Sequence, residues 1–219
     1  SVLAATVDVL QAMGRHVEVL PYFPSGKGLH VRGFLGRFSR LARRNVEVLS
    51  AVDALGLPMV CLEPAVALAF RDEYAKAVDG SVPRVALLQE WLSEHLGLLP
   101  ASPSGGVTHH LLAHCTERAL EPGGEAQWVE VFAGCGMSLQ LERVGCCGMS
   151  GAYGHEVAHQ PESRGIFEMS WRQHLPEDRS LALATGHSCR HQVHRLDGAS
   201  LRHPVEVLAE VIARAPSST

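Results

Sequence analysis

The stretch Leu139-Gln140-Leu141-Glu142-Arg143-Val144-Gly145-Cys146-Cys147-Gly148-Met149 decides how this chain is read. Its first six residues have the pattern of a strand, and the glycine-flanked Cys-Cys pair is the turn after it. Two adjacent thiols between glycines make a poor core element and a good metal–sulfur site. Working outward, Cys115 follows the apolar run 107–113 and Cys189 follows 181–185, both of which read as buried strands. Four thiols therefore stand just past strand ends, where open α/β sheets gather ligands from loops and helix N-termini. Soft thiolates in such a set suit an iron-sulfur cluster or a single iron or zinc ion.

Around this centre the apolar residues alternate between helical and strand periods, which predicts an α/β fold. Two pseudo-repeated units are expected, 1–104 and 105–219, each with a short, mainly parallel sheet flanked by helices. The first unit reads as helix 2–13 stopped by Gly14, strand 16–20, helix 34–55, strand 58–62, a helix opening at Pro64, and helix 85–96. Arg37, Arg40, Arg43 and Arg44 fall on the polar side of helix 34–55. The second unit reads as strand 107–113, helix 125–135, strand 139–144, helix 166–173, strand 181–185, a helix opened by Cys189, and a last helix from His203-Pro204.

An offset of 122 takes Gly14 to Gly136, Val17 to Leu139, Val19 to Leu141, and Pro24-Ser25-Gly26 onto Cys146-Cys147-Gly148. An offset of 123 takes Ala65-Val66 onto Ser188-Cys189. Repetition of one supersecondary unit explains both matches; chance agreement between two ordinary α/β units is the competing reading. The first unit is depleted of cysteine, so only the second can hold a thiolate site. It also has no counterpart of strand 107–113, and the chain opens without methionine inside an expected helix. Both features read as an N-terminal truncation of a longer protein.

Composition narrows the classes. With 219 residues and 46% hydrophobic content the chain can bury one large core or two small ones. A net charge of -4 gives no support for nucleic-acid binding. The longest apolar stretch, 55–70, is interrupted by Pro58, Glu63 and Pro64, so a membrane span is not expected. Six cysteines are too few for a disulfide scaffold and suit a reducing cytosol.

No Cys-x-x-Cys occurs, which excludes a ferredoxin run and a standard zinc finger. Buried, inert cysteines are the competing reading, and it is the one applied to Cys61 and Cys135. Thiol–disulfide exchange at Cys146-Cys147 is disfavoured by the strain of a vicinal bridge. His114, His155 and His187 flank the thiols and either ligate metal, orient a ligand, contact substrate, or simply pack. Glu117 and Glu156 stand as their partners or as helix caps. Lys27, His30 and Arg32 with Arg71 form either a basic pocket for an organic carboxylate or an exposed face. Arg71-Asp72-Glu73-Tyr74 reads more naturally as an ion-pair and hydrogen-bond cluster. Trp91, Leu92, Trp128 and Trp171 read as core.

Cys115, a gap of 30 residues, Cys146-Cys147-Gly148 and then Cys189 resemble the cysteine-rich CCG domain. That domain is duplicated in the cysteine-rich subunit of heterodisulfide reductase and in iron-sulfur subunits of glycolate, lactate and glycerol-3-phosphate oxidoreductases. Further motifs are Gly26-Lys27-Gly28-Leu29-His30-Val31-Arg32-Gly33-Phe34-Leu35, Glu63-Pro64-Ala65, Arg71-Asp72-Glu73-Tyr74, His114-Cys115-Thr116-Glu117 and Thr185-Gly186-His187-Ser188-Cys189. They are similar to the C-terminal part of fused FAD and iron-sulfur oxidoreductases of the bacterial D-2-hydroxyglutarate or D-lactate dehydrogenase type. The resemblance implies metal or cluster ligation by Cys115, Cys146, Cys147 and Cys189. The family's terminal Cys-x-x-Cys is Cys189-Arg190-His191-Gln192 here, so Gln192 stands where a fifth thiol is expected.

It further implies preceding flavin and ferredoxin-like domains in the same polypeptide, with FAD taking hydride from a small 2-hydroxy acid. Electrons would leave through iron-sulfur centres to an acceptor such as a quinone, in the cytoplasm or at the periphery of the inner membrane. The segment alone is not expected to turn over substrate. The alternative is a structural or docking module, with zinc or no metal, that completes the active site of the larger protein.

Overall fold

The computed structural model describes residues 1–100 and 106–214. The expected unit boundary at 104/105 lies outside them. In chain order the first part carries α1 (Val2–Ala12), α2 (Lys27–Val31), α3 (Leu35–Asp53), β1 (Met59–Cys61), α4 (Pro64–Arg71), α5 (Glu73–Ala77), β2 (Val85–Leu87) and α6 (Leu88–Ser93). The second carries β3 (Thr108–Leu112), α7 (Cys115–Leu120), α8 (Gly124–Gly134), β4 (Ser138–Leu141), α9 (Gln160–Ser170), β5 (Ala182–Ala184), α10 (His187–Asp197) and α11 (Pro204–Arg214). The fold is mixed α/β, with two short parallel sheets flanked by helices. One pairs β1 with β2; the other has the order β4-β3-β5, with a further parallel bridge from Leu183 to Arg202.

Local chemistry accounts for the elements. On α3 the buried residues Phe38, Ala42, Asn45 and Leu49 recur every three or four positions, which turns the arginines outward. Pro64 occupies the first turn of α4, where its missing N–H costs nothing. Leu87 N–H donates to the Glu90 carboxylate and His203 N–H to that of Glu206, each at 2.9 Å, so a glutamate three residues on caps the start of both α6 and α11.

Positions paired by the sequence offsets share some backbone geometry. Gly14 and Gly136, paired by the 122 offset, have φ of +74° and +71°. Gly26 and Gly148, paired by the same offset, have +74° and +87°. β1 and β5 coincide under the offset of 123.

Three differences from the sequence expectation stand out. Residues 16–20 form no strand among the described residues. The stretch 85–96 is not one helix: Val85-Ala86-Leu87 is fully buried and pairs with β1, and the helix starts after it. A short apolar run of this kind has no periodicity to separate strand from helix. Finally, α9 begins at Gln160, ahead of the expected 166, because Pro161 starts it in a polar stretch.

One core cluster draws on both halves. Val9 and Leu10 of α1, Leu88 and Leu92 of α6, and Leu111, Trp128, Phe132, Leu183 and Leu208 pack together. A second cluster lies behind the cysteines and contains Val144, Phe167, Trp171 and Val193 with Cys147 and Cys189 themselves. Each fully buried large side chain contributes about 2–3 kcal/mol of burial. No helix among the described residues is long and apolar enough to cross a membrane.

Candidate metal centre

Three parallel strands aim their carboxyl ends at one place, and each delivers thiols there. β3 leads into α7, whose first residue is Cys115; β4 leads into the turn holding Cys146 and Cys147; β5 leads into α10, with Cys189 in its first turn. The sulfurs meet in succession. Cys146 is electrostatically coupled to both Cys115 and Cys147, and Cys147 to Cys189. All six cysteines of the chain are free thiols.

The set is electrostatically uneven. Hydrogen bonds from Cys115 and Cys147, helped by the Gly148 N–H at 3.3 Å, draw the Cys146 thiol down to about 2. Cys115 and Cys147 are pushed up, first by their contact with Cys146 and then by burial or further thiol contact. The couplings therefore favour the charged form at Cys146 and the neutral form at Cys115 and Cys147. Cys61 and Cys135 lie apart from the set, and burial pushes each up to about 11.

The turn carrying the pair leaves no room for side chains. Gly148 has φ +87°, and a Cβ there would collide with the Ser163 carbonyl. At Gly186 a Cβ would strike the His114 ring and sit 3.1 Å from the Cys189 sulfur. Ser163 Oγ donates to Gly148 O at 2.8 Å and accepts from Gln192 Nε2 at 2.9 Å. Gln192, in the position of the expected fifth thiol, is therefore fully buried against the cysteine turn, and its Oε1 has no partner among the described residues.

His114 caps α7: its Nδ1 accepts the Thr116 N–H at 3.1 Å, and burial lowers its basicity. Glu117 is fully buried and accepts from Gln89 at 2.6 Å and Thr185 at 2.7 Å. Burial raises its carboxyl to about 7, against the lowering effect of Thr185. The first half also reaches the site through Glu63, which accepts the His187 N–H at 2.9 Å at the start of α10. Gln89, Ser163 and Thr185 carry no local sequence signal for this role; long-range packing places them.

The remaining predicted residues lie around or away from the thiols. His155 and His187 are exposed and flank His191, with ring centroids 5.2 and 6.5 Å from it. Glu156 lies 3.8 Å from Arg32. Lys27 pairs with Glu73, and the His30 ring packs on Phe38 at 4.9 Å. Arg71 is fully engaged: it binds Glu90, Glu121 at 2.7 Å, and the Val85 carbonyl at 2.9 Å. These groups do not converge on a common carboxylate pocket. A cavity of about 420 Å³ does open onto Cys115 and Cys146, walled by Arg118, Glu125 and Gly145.

Among the described residues, no three His, Cys, Asp or Glu side chains stand in a ready arrangement around one ion. The donor chemistry nonetheless fits a metal–sulfur group. Four thiols at three strand ends, coupled in succession, share the turn with the buried Gln192 amide, and glycines keep the approach clear.

No protein-family model matches the chain. It is 45% identical over 215 residues to D-2-hydroxyglutarate dehydrogenase of Pseudomonas putida, covering 97% of this chain and 21% of that protein. It is 42% identical over 216 residues to D-2-hydroxyglutarate dehydrogenase of Escherichia coli K12, covering 96% and 21%. A subunit of the anaerobic glycerol-3-phosphate dehydrogenase of the same strain is 27% identical over 218 residues, covering 94% and 54%. The chain spans about a fifth of the length of the D-2-hydroxyglutarate dehydrogenases it matches. Along nearly its whole length, then, the chain is homologous to one stretch of the D-2-hydroxyglutarate dehydrogenases and, more distantly, to that glycerol-3-phosphate dehydrogenase subunit.

Proposed function

We propose that this chain is the thiol-bearing electron-transfer module of a flavin-linked dehydrogenase that oxidises a D-2-hydroxy acid of the D-2-hydroxyglutarate type. The observation that carries the reading is the placement of Cys115, Cys146, Cys147 and Cys189 just past three adjacent parallel strand ends, where they couple in succession. Similarity to dehydrogenases of that name supports the enzyme class.

In this reading the four cysteines hold an iron-sulfur group or single metal ion, which supplies one-electron relay between flavin and acceptor. The chain's own residues set its surroundings. Gly148 N–H stabilises sulfur charge, Gln192 and Ser163 fix the cysteine turn, and the apolar cluster of Phe167, Trp171 and Val193 keeps water from the inner sulfurs. The flavin and ferredoxin-like domains of the parent polypeptide are the partners on the donor side. A quinone or similar carrier is the acceptor.

Two observations favour a second reading, a zinc-holding or metal-free docking module: Gln192 in the fifth thiol position, and the lack of a ready ion-holding arrangement among the described residues. Anaerobic purification of the parent polypeptide with metal and sulfide analysis separates the two. The redox reading expects Cys146→Ser and Cys189→Ser to lose iron from this site while flavin content is unchanged, with turnover down at least about tenfold. Equal iron content in variant and wild type, or zinc lost in its place, contradicts it.

A further inference from the structure

The first half of the molecule contains a sheet with a missing member. In the second half, β4, β3 and β5 lie side by side and parallel, and Leu139, Leu111 and Leu183 from the three strands enter the shared core. The repeat offsets carry Leu139 to Val17 and Leu183 to Val60, and both valines pack against that same core cluster. The bridge from Leu183 to Arg202 likewise has a first-half counterpart, the pairing of Val60 with Ala86. Only the counterpart of Leu111 and its strand is absent among the described residues.

Residues 16–20 carry the sequence pattern of a strand but pair with none among the described residues. Their pattern predicts one, yet among the described residues no backbone N–H of 16–24 donates to a backbone carbonyl. Val19, the counterpart of the half-buried Leu141, is 55% exposed, and Leu20 next to it is exposed as well. Among the described residues β1 is paired on one side only, to β2. Unpaired strand edges of this kind template the addition of another strand.

We propose that a strand of the same polypeptide, a short way upstream of Ser1, seats between residues 16–20 and β1, parallel to both. It would complete a four-stranded sheet matching the β4-β3-β5 order and the Arg202 bridge. The 122 offset places it about 11 to 15 residues upstream of Ser1. The D-2-hydroxyglutarate dehydrogenases, of which this chain spans about a fifth, are long enough to provide it. The seated strand would also fix the entry to the turn Pro24-Ser25-Gly26, which stands in the first half where the thiol turn stands in the second. The inference rests on sheet pairing alone and is independent of what the cysteines bind.

Hydrogen–deuterium exchange on the parent polypeptide tests it, combined with photo-crosslinking from a benzophenone side chain in place of Leu20. Amides within 17–20 and 60–62 are expected to exchange at least about a hundredfold more slowly in the parent polypeptide than in the 219-residue chain. Crosslinks are expected to fall in the segment just ahead of Ser1. Equal exchange in the two forms overturns the proposal. So does protection accompanied by crosslinks to a distant domain or to a second copy.

Discussion

Gly148 shows how one residue can hold a site. Its left-handed φ alone would disfavour a side chain by about 1 kcal/mol, and the Ser163 carbonyl blocks the space a side chain would need. Gly14 has a similar φ of +74° but meets nothing within 4 Å. The pair therefore separates conformational strain from steric exclusion. Gly14→Ala is expected to cost about 1 kcal/mol and Gly148→Ala about 2–4 kcal/mol, the excess being overpacking. Urea unfolding midpoints of the two variants check this; equal losses would show that the Ser163 contact yields freely. At this scale the strand-end positions of the four thiols were legible in the sequence, because each follows an apolar run that the structure pairs into a sheet. It was silent on Ser163, Gln89 and Thr185, whose roles depend on partners far along the chain. It also left Arg71 open, and the structure places that guanidinium on Glu90 and Glu121, bridging the two halves.

Among the elements, α11 depends on a histidine that must stay neutral. His203 is fully buried against Trp128, and its Nδ1 accepts the Val205 N–H at 3.1 Å. Burial, and then the charge of Arg190, lowers its basicity to about 3. The folded pKa lies below the unfolded value of about 6.5, so the unfolded chain takes up the proton first. This contribution to stability is complete above about pH 6.5, and it shrinks by up to about 1.4 kcal/mol per unit as the pH falls toward 3. His203→Asn keeps a capping acceptor and removes the titration. Stability curves from about pH 7.5 to 4.5 should slope less steeply for the variant; parallel curves would show that His203 does not govern the acid limb. Elements with clear periodicity, such as α3 and α8, were legible from sequence to within a residue or two. The region 85–96 was not, because its apolar run carries no period and only pairing with β1 makes Val85–Leu87 a strand. The stretch 16–20 misled for a related reason: a strand pattern needs a neighbour, and among the described residues there is none.

For the whole molecule, the proposed repeat would place a thiol-bearing turn in one half opposite a thiol-free turn in the other. The same turn appears twice, with matched glycine conformations, yet one copy holds thiols and the other does not. In the first half, Asn45 donates to the Pro24 carbonyl at 2.8 Å and Tyr74 to that of Ser25 at 2.7 Å, so a hydrogen-bond network occupies the place of the sulfurs. Glu63 and Gln89 then extend that half to the start of α10 and to Glu117 beside the thiols. One half supports the site that the other contains.

X-ray absorption at the edge of the bound metal, on protein purified without oxygen, addresses the shared thiol site most directly. Sulfur scatterers at about 2.3 Å, lost on replacing any one of Cys115, Cys146, Cys147 or Cys189, are the predicted result. Nearest scatterers of nitrogen and oxygen alone, or a sulfur signal unchanged by those replacements, would contradict it.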